Sequence, residues 1–243
     1  MIGSLYRFAT ILGGPFIRLY LARRLARGKE DPKRFGERLG RPGLARPPGR
    51  LLWCHGASVG ETIGALPLLH RLARERAGLT LLVTSGTRTA AAMLAERLPP
   101  GAMHAYVPVD RPAWVRRFLD HWQPDAAIWM ESELWPNLLA ETARRGVPMA
   151  LVNGRLSARS HRNWRRLPGW ARTVIGRFAL VLVPDQVQAE RLRSLGATDV
   201  RVVGNVKAAV PAAAPDPADL ALLLEALGSR SRWIAASTHP GED

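Results

Sequence analysis

The sequence has one cysteine, few lysines and no clear membrane-spanning segment, and these shortages exclude several classes of protein. The single cysteine, Cys54, rules out a disulfide framework and any cysteine-rich metal site, and it fits a reducing compartment. Of the 35 basic residues, only Lys29, Lys33 and Lys207 are lysines. The uncharged N-terminal stretch 8–17 has ten residues, whereas a transmembrane helix needs about 20.

The balance of charge is strongly basic. The formal net charge is +15, and nearly all of the excess is arginine. An excess of this size predicts an anionic partner, which can be nucleic acid, acidic lipid or a phosphorylated substrate. A genome biased towards Arg, Ala and Pro codons would also produce part of it. Apolar residues make up 47% of the 243 residues, enough for one large domain or two small ones with a substantial core.

Residues 1–30 combine a short apolar stretch with a basic end. Arg7 and Arg18 flank the stretch, and four more basic residues follow between positions 23 and 29. The segment lacks a charged start and a small-residue cleavage site, so it is not a cleavable signal peptide. We expect a helix over about residues 2–25 that lies at a membrane interface, with its basic end on an anionic cytoplasmic surface. An ordinary amphipathic helix docked on its own domain is the alternative.

Beyond Arg50, short apolar runs alternate with longer segments of helical periodicity. The runs are apolar on both faces and rich in Val, Ile and Leu, as buried parallel strands are. Their spacing suits β-α-β units, so the sequence predicts a doubly wound α/β domain. The predicted strands are 51–54, 80–84, 105–109, 126–130, 148–152, 180–183 and 200–203, and the predicted helices are 65–73, 90–98, 114–122 and 134–144.

The segment 208–221 is rich in Pro and Ala and is a candidate linker. A helix should follow it, with Asp216 as its N-cap, Pro217 as its first residue and Gly228 as its end. The run 232–237 then reads as another buried strand. We therefore expect a first α/β domain at 31–212 and the beginning of a second at 213–243, whose remainder this chain does not contain.

Polar residues with possible catalytic roles follow the predicted strands. Parallel strands bring their carboxyl ends to one edge of the sheet, where ligands of such folds bind. Carboxylates are costly to bury unpaired, so an acidic cluster facing an arginine-rich rim favours a functional role over a purely structural one. The residues that fall at this edge are Ser58, Glu61, Glu131, Glu133, Arg155, Arg159, Arg162 and Lys207.

Several familiar sites do not fit the loop "HGASVGE" at 55–61. A dinucleotide fingerprint needs a glycine where Ser58 stands. A P-loop needs a Gly-Lys-Ser/Thr sequence that is absent here, and no Gly-x-Ser-x-Gly elbow surrounds Ser58. No paired His or Cys spacing indicates zinc, so we expect no metal site and no bound cofactor. The run "RLSARSHRNWRR" leaves nucleic-acid binding open, although such a run is more often a solvated basic face.

A series of longer motifs resembles the 3-deoxy-D-manno-octulosonic acid (Kdo) transferases of lipopolysaccharide assembly. The resemblance extends from about Arg34 to Glu242 in the family's order. The motifs are "FGERLG", "LLWCHGASVGE", "VTSGTRTAA", "VPVDRPAWVRRFLDHWQPDAAIWMESELWPNLL", "LVNGRLSARSHRNW", "GNVK" and "ASTHPGE". The tract "ESELWPNL" is highly specific by itself.

The resemblance implies a GT-B glycosyltransferase with two Rossmann-like domains and an active site in the cleft between them. The N-terminal domain of such an enzyme takes the lipid acceptor, and the C-terminal domain takes the nucleotide sugar. The family transfers Kdo from CMP-Kdo to the glucosamine 6′-hydroxyl of a lipid A precursor, lipid IVA, with inversion and without a catalytic metal. The resemblance also implies a membrane-associated N-terminus at the cytoplasmic face of the bacterial inner membrane.

The resemblance also implies roles for individual residues. Glu61 matches the carboxylate of the family's "SVGE" motif, the proposed general base, and Glu131 matches the first Glu of "ESELWP". Lys207 of "GNVK" and His239 of "STHPGE" match donor-side positions, and Ser237 and Glu242 of the same last motif join them. The family usually ends this motif with Glu-Glu, whereas Asp243 follows Glu242 here. Because the family extends well beyond this motif, we expect the 243-residue chain alone to be inactive.

Two further points rest on charge and position. Arg155, Arg159 and Arg162 are hypothesised to bind the acceptor's phosphates, because guanidinium groups suit phosphate oxygens. Two other functions stay open: a GT-B enzyme that uses another nucleotide sugar, and a basic nucleic-acid-binding module. The second would bind DNA or RNA with a steep salt dependence, and it gives no reason for the positions of Glu61 and Glu131.

Overall fold

The computed structural model describes residues 2–131, 133–211, 215–229 and 233. Its centre is a sheet of seven parallel strands in the order β3-β2-β1-β4-β5-β6-β7. The predicted α/β class and the doubly wound parallel sheet are thus confirmed. The strands are β1 (Arg50–His55), β2 (Leu79–Ser85), β3 (Met103–Tyr106), β4 (Ala126–Met130), β5 (Met149–Val152), β6 (Leu180–Val183) and β7 (Val200–Val202).

Helices connect the strands and cover both faces of the sheet. In chain order they are α1 (Ile2–Leu12), α2 (Gly14–Ala26), α3 (Phe35–Arg38), α4 (Val59–Glu75), α5 (Arg88–Arg97), α6 (Pro112–Trp122), α7 (Pro136–Arg144), α8 (Ala158–Arg165), α9 (Pro168–Ile175), α10 (Gln186–Ser194) and α11 (Pro217–Leu227). A short 3-10 turn, Val206–Ala209, lies between β7 and α11.

The core has one cluster on each face of the sheet, because the strands are apolar on both sides. One cluster packs α6, α7, α9 and α10 around Trp53, Trp129 and Phe118, and the first two of these rings meet edge to face at 4.7 Å. The other packs α4 and α5 against Cys54 and Val83. Burial raises the pKa of the Cys54 thiol to about 12, so this cysteine is a core residue with an unreactive thiol.

The strand order creates a crevice at the carboxyl edge of the sheet. From β1 the chain runs outwards through β2 and β3, and it then returns to place β4 on the other side of β1. The loops that follow β1 and β4 therefore diverge to opposite faces of the sheet. Such a switch point is where open α/β sheets bind their ligands.

Predictions about three parts of the chain need correction. β3 is Met103–Tyr106 and not 105–109. The N–H of Val107 still donates to the Ser85 carbonyl at 3.0 Å, and the pairing ends at Pro108, which has no N–H to donate. The helices α8, α9 and α10 are present although none of them was predicted. The single helix expected over residues 2–25 is two helices that meet at Gly13.

The chain divides into two compact units, residues 1–210 and 211–243. In the second unit, α11 begins after the N-cap Asp216, whose carboxylate accepts from the N–H groups of Ala218 and Asp219. The helix starts at Pro217 and ends before Gly228, as the sequence predicts. The predicted strand 232–237 lies outside the described residues.

Helix α1 docks on the first unit through its polar side. The Tyr6 hydroxyl donates to Asp110 at 2.9 Å, Arg7 pairs with Glu141 at 2.7 Å, and the Thr10 hydroxyl accepts from Asn137 at 3.0 Å. The apolar side chains of the helix point away from these contacts and are exposed, among them Leu5, Phe8 and Leu12. The usual arrangement of an amphipathic helix is therefore reversed. In the described part of the chain, no helix is long and apolar enough to cross a bilayer.

Candidate functional site

The loop after β1 places Glu61 in the crevice. Ser58 is the N-cap of α4: its hydroxyl oxygen lies 3.4 Å from the Glu61 N–H that donates to it, and its hydroxyl donates to Glu61 Oε1 at 2.9 Å. The N–H of Ala57 donates to Glu61 Oε2 at 2.9 Å. This is a variant of the capping box: the glutamate at the third helical position turns back to the N-cap hydroxyl and to the N–H of the residue before the N-cap. Both carboxylate oxygens are thereby fixed at the start of the helix.

Capping alone does not account for the electrostatics of Glu61. The residue is 8% exposed, and burial raises the pKa of its carboxyl above the usual value. The hydrogen bonds from Ala57 and Ser58 oppose this shift, whereas the nearby charges of Glu133 and Glu131 add to it. A capping glutamate on an open surface would have a lowered pKa. Glu61 is instead a carboxylate whose affinity for a proton is increased, which suits a general base.

The loop after β4 brings Glu131 to the same crevice, where it pairs with Lys207. The distance between Lys207 Nζ and Glu131 Oε1 is 2.5 Å. Lys207 belongs to the 3-10 turn, which is capped by Asn205 and packs against α4. Two residues that the sequence separates widely are thus joined next to Glu61.

Two glycines of α4 make room for the lysine. A Cβ at Gly64 would lie 3.0 Å from Lys207 Cγ, and a Cβ at Gly60 would lie 3.7 Å from Lys207 Nζ. Gly56 serves the loop itself, since its Cβ would meet Thr62 Cγ2 at 3.1 Å. Gly60 and Gly64 therefore let a cation approach the first turns of α4.

The backbone is strained where β4 and β5 end. Glu131 and Asn153 both have φ of +57°, a region that side chains other than glycine seldom occupy and that is common at functional sites. Asn153 is fully buried, and its Nδ2 lies 3.5 Å from Glu131 Oε1. Its Oδ1 has no hydrogen-bond partner among the described residues. Sequence reasoning did not name Asn153 as a site residue, although the Asn-Gly pair at 153–154 was a signal for this conformation.

His55 lies under the site and does not act with Ser58. The imidazole is completely buried, and its Nδ1 lies 3.0 Å from the Thr84 hydroxyl. Burial lowers the pKa of His55 to about 4, against the opposing effect of a hydrogen bond with the Thr84 backbone. The Ser58 hydroxyl binds Glu61 and not His55, so the described residues form no serine–histidine pair here.

The other predicted site residues fall into three groups. Glu133 lies near Glu61 and accepts a hydrogen bond from its neighbour Trp135 at 2.9 Å. Arg155, Arg159 and Arg162 are exposed, the last two on α8, and they form no ion pair with any described residue. The structure does not bring these arginines against the carboxylates. Ser237, His239 and Glu242 lie outside the described residues.

The part of the chain that the structure describes contains no group of three or more His, Cys, Asp or Glu side chains arranged to hold a metal ion. The cluster in the crevice therefore consists of Glu61, Glu131, Glu133 and Lys207. It offers a carboxylate with raised proton affinity beside an ion pair, which is suited to removing a proton from a bound hydroxyl group.

Comparisons with known proteins agree with these observations. The model of a family described as 3-deoxy-D-manno-octulosonic-acid transferase (kdotransferase) matches residues 33–210. The chain is 34% identical over 240 residues to the 3-deoxy-D-manno-octulosonic acid transferase of Rickettsia bellii, covering 98% of this chain and 57% of that protein. It is 30% identical over 246 residues to the same-named protein of Haemophilus influenzae, with coverages of 98% and 57%. The chain thus spans about half the length of the curated relatives it matches.

Among solved structures, the chain resembles a predicted UDP-N-acetylglucosamine 2-epimerase from Listeria monocytogenes. The TM-score is 0.51 at 15% sequence identity, and the likeness covers 75% of this chain and 52% of that one. At this level of identity, the likeness shows a shared fold and agrees with the predicted fold class.

Proposed function

The chain belongs to the 3-deoxy-D-manno-octulosonic acid (Kdo) transferase family, and on that premise we propose that the protein acts as an inverting glycosyltransferase of lipopolysaccharide biosynthesis. The donor in this proposal is CMP-Kdo, and the acceptor is the glucosamine 6′-hydroxyl of the lipid A precursor lipid IVA. No cofactor and no metal takes part. In this proposal, residues 31–212 form the acceptor-binding domain of a GT-B enzyme, and the nucleotide-sugar-binding domain begins at residue 213.

The observation that carries the proposal is the state of Glu61. Its carboxylate is fixed by Ser58 and Ala57 at the crevice, and its pKa is raised by burial and by neighbouring carboxylates. In the proposed reaction, Glu61 takes the proton of the acceptor hydroxyl while that oxygen attacks the anomeric carbon of Kdo. The bond from that carbon to the phosphate of CMP breaks, and CMP leaves with the electron pair. A single displacement of this kind inverts the configuration.

The ion pair of Lys207 and Glu131 has a supporting role in this proposal. The ammonium group lies next to α4, and it supplies positive charge towards the leaving phosphate. Glu131 holds that ammonium group in place at 2.5 Å. Ser237, His239 and Glu242 complete the donor side in the proposal, and Arg155, Arg159 and Arg162 bind acceptor phosphates. A triple replacement of these arginines by Ala should weaken acceptor binding, and unchanged affinity would remove them from the role.

The proposed site of action is the cytoplasmic face of the bacterial inner membrane. The support comes from α1, whose exposed apolar side chains face away from the domain while its polar side is docked. A helix of this kind lies in a membrane interface with its apolar face towards the acyl chains. Helix α2 also has exposed apolar residues, such as Phe16 and Leu19.

The test is a transfer assay with the full-length protein, CMP-Kdo and lipid IVA, analysed by mass spectrometry. The Glu61→Gln variant keeps the shape of the side chain but cannot accept the proton, so we expect turnover to fall by about 10²–10⁴-fold while acceptor binding persists. Glu75→Gln, at the exposed far end of the same helix, is the matched control. Near-normal turnover of Glu61→Gln would exclude Glu61 as the base, and transfer from another nucleotide sugar in preference to CMP-Kdo would refute the proposed donor.

A further inference from the structure

A cavity between α1, α7 and the start of α9 shares no residue with the carboxylate cluster of the crevice. Its volume is about 620 Å³. The first turn of α1 (2–4) forms one wall, α7 forms the second, and residues 166–170 form the third. Four arginines line it, namely Arg7, Arg144, Arg166 and Arg177.

The charge around this cavity is not balanced by carboxylates. Glu141 is almost fully buried and lies within 4 Å of four arginines, at distances from 2.7 to 3.6 Å. Two of the four, Arg7 and Arg144, also line the cavity. The other two lining arginines, Arg166 and Arg177, form no ion pair with any residue that the structure describes. The cavity therefore has more cations than its surroundings neutralise.

Two further features favour a bound anion. Burial and the nearby charge of Arg144 lower the pKa of Arg177. Keeping the guanidinium group charged therefore costs free energy, and a bound anion would reduce that cost. The helix α9 has Pro168 as its first residue, and its N-cap Leu167 provides no side-chain hydrogen bond. Its N-terminal dipole and that of α1 both end at the cavity and favour negative charge.

The location of the cavity selects the kind of anion. Its wall contains Ile2, and Leu5 and Phe8 of the same helix are exposed beside it. If this apolar face lies in a membrane, the cavity opens at the depth of the phospholipid headgroups. We propose that the cavity binds the headgroup phosphate of one anionic glycerophospholipid from the bilayer against which α1 lies. This inference rests on the proposed membrane docking of α1 for its source of ligand.

The test uses two double variants of the full chain that remove the same charge. Arg166→Ala/Arg177→Ala empties the cavity of its two unpaired arginines. Arg23→Ala/Arg27→Ala removes two exposed arginines, one in the last turn of α2 and one at its C-cap; this variant, the α2 control, is matched for diffuse attraction. Neither variant removes an ion pair, so both should fold.

The first measurement is thermal unfolding with dihexanoyl phosphatidylglycerol below its micelle concentration. We expect the Tm of the wild type and of the α2 control to rise by about 3–5 °C at roughly ten times the Kd, and the Tm of the cavity variant to stay constant. Dihexanoyl phosphatidylcholine and inorganic phosphate should have no such effect. An equal rise with inorganic phosphate would overturn the lipid as the ligand, and an equal rise in the cavity variant would overturn the site.

The second measurement is binding to vesicles that contain phosphatidylglycerol. The cavity variant should bind about thirtyfold more weakly than the wild type, from roughly 1 kcal/mol for each arginine, and the α2 control should lose less. Equal losses in the two variants would mean diffuse attraction and would overturn the cavity as a site. Leu5→Ser/Phe8→Ser separates the two proposals, because it should weaken vesicle binding by about 10²-fold or more while the short-chain lipid still raises the Tm.

Discussion

At the scale of single residues, the carboxylate of Glu61 has two structural roles. It closes the N-terminus of α4 through Ser58 and Ala57, and it lies among other carboxylates in a buried position. A raised pKa means that the folded state binds the proton more tightly than the unfolded state does. The contribution of Glu61 to the free energy of unfolding is therefore complete below the pKa of Glu61 in the unfolded chain. It is lost as the pH rises through the higher pKa of Glu61 in the folded chain. Ionisation of Glu61 in the folded state therefore costs the protein stability.

Two pH dependences should follow from the raised pKa of Glu61. In the full-length protein, kcat/KM should fall on the acid side at a pH above 4.5, the usual value for a glutamate. Glu61→Gln should raise the Tm of the chain at pH 7, and the gain should vanish below pH 4.5. Calorimetric scans from pH 4 to 8 measure the second effect. Glu75→Gln is the control, and a constant difference across this range would contradict the assigned shift.

Gly64 controls the approach of Lys207. A Cβ at this position would lie 3.0 Å from Lys207 Cγ, so Gly64→Ala should push the flexible lysine away from Glu131 without unfolding the helix. We expect turnover of the full-length protein to drop by about tenfold or more, while the Tm changes little because Ala favours helix by about 1 kcal/mol. Gly60→Ala, which would make only an ordinary contact of 3.7 Å, should be milder. Similar turnover of the two variants would argue against a role for Lys207.

The sequence could predict that Glu61 and Glu131 reach the crevice, but not how the residues there pair. Glu61 and Glu131 follow strand ends, so the topology of a parallel sheet was enough to place them at one edge. The contact of Lys207 with Glu131, and the need for a glycine at position 64, depend on how the 3-10 turn packs on α4. That packing is a tertiary contact between distant parts of the chain, and no local pattern encodes it.

At the scale of elements, the turn after α3 is fixed by a close contact with α6. Gly40 has φ of +70°, and a Cβ there would lie 2.0 Å from the carbonyl oxygen of Trp114. The Trp114 oxygen is part of the backbone, and the added Cβ would be bonded directly to the backbone of residue 40, so neither atom can move aside. The "FGERLG" motif therefore ends in a glycine for a steric reason.

Replacing Gly40 by Ala should destabilise the chain by about 3 kcal/mol or more, because the contact and the positive φ are both incompatible with a side chain. Urea denaturation of the chain measures the loss. Gly36→Ala in α3 is the control, since its Cβ would make an ordinary contact of 3.5 Å with Arg41. If Gly40→Ala unfolded at the same urea concentration as Gly36→Ala, the described position of α6 would be wrong.

The predicted elements differ in reliability for physical reasons. The strands and the helices α4 to α7 bury continuous apolar faces, and their patterns were clear from the sequence. The helices α8 and α10 are short and rich in polar residues, so each has few apolar positions from which a helix could be recognised in the sequence. Their N-caps Ser157 and Asp185, each of which accepts a backbone N–H at the third helical residue, were the better signal. A search for caps would have found them where periodicity did not.

At the scale of the whole molecule, the N-terminal segment docks on its own domain and still leaves an apolar side exposed, which is the side that the proposed membrane interface would use. Its polar side docks on the domain through Tyr6 and Arg7, and its apolar side is exposed. The sequence alone could not combine the two, because Asp110 and Glu141, the partners of that polar side, lie more than a hundred residues away in the chain.

Exposure of this apolar side allows a test that separates folding from membrane binding. Leu5 and Phe8 are 67% and 57% exposed, so Leu5→Ser/Phe8→Ser should leave the Tm within a few degrees of the wild type. Binding to anionic vesicles should weaken by about 10²-fold or more, at roughly 1.5–3 kcal/mol for each buried apolar side chain. Leu222→Ser/Leu223→Ser on α11, with exposures of 66% and 56%, is the control. Equal losses in both variants would contradict docking through α1.

The buried thiol of Cys54 has a practical consequence for experiments on the exposed apolar side of α1. Cys54 is 1% exposed, and its pKa is raised to about 12, so thiol-reactive labels in aqueous buffer should leave it untouched. The 243-residue chain therefore has no cysteine that such labels would modify. A single cysteine introduced on α1 or beside the crevice would carry one spin label or fluorophore per chain, and the insertion depth of that site could be measured without repacking the core.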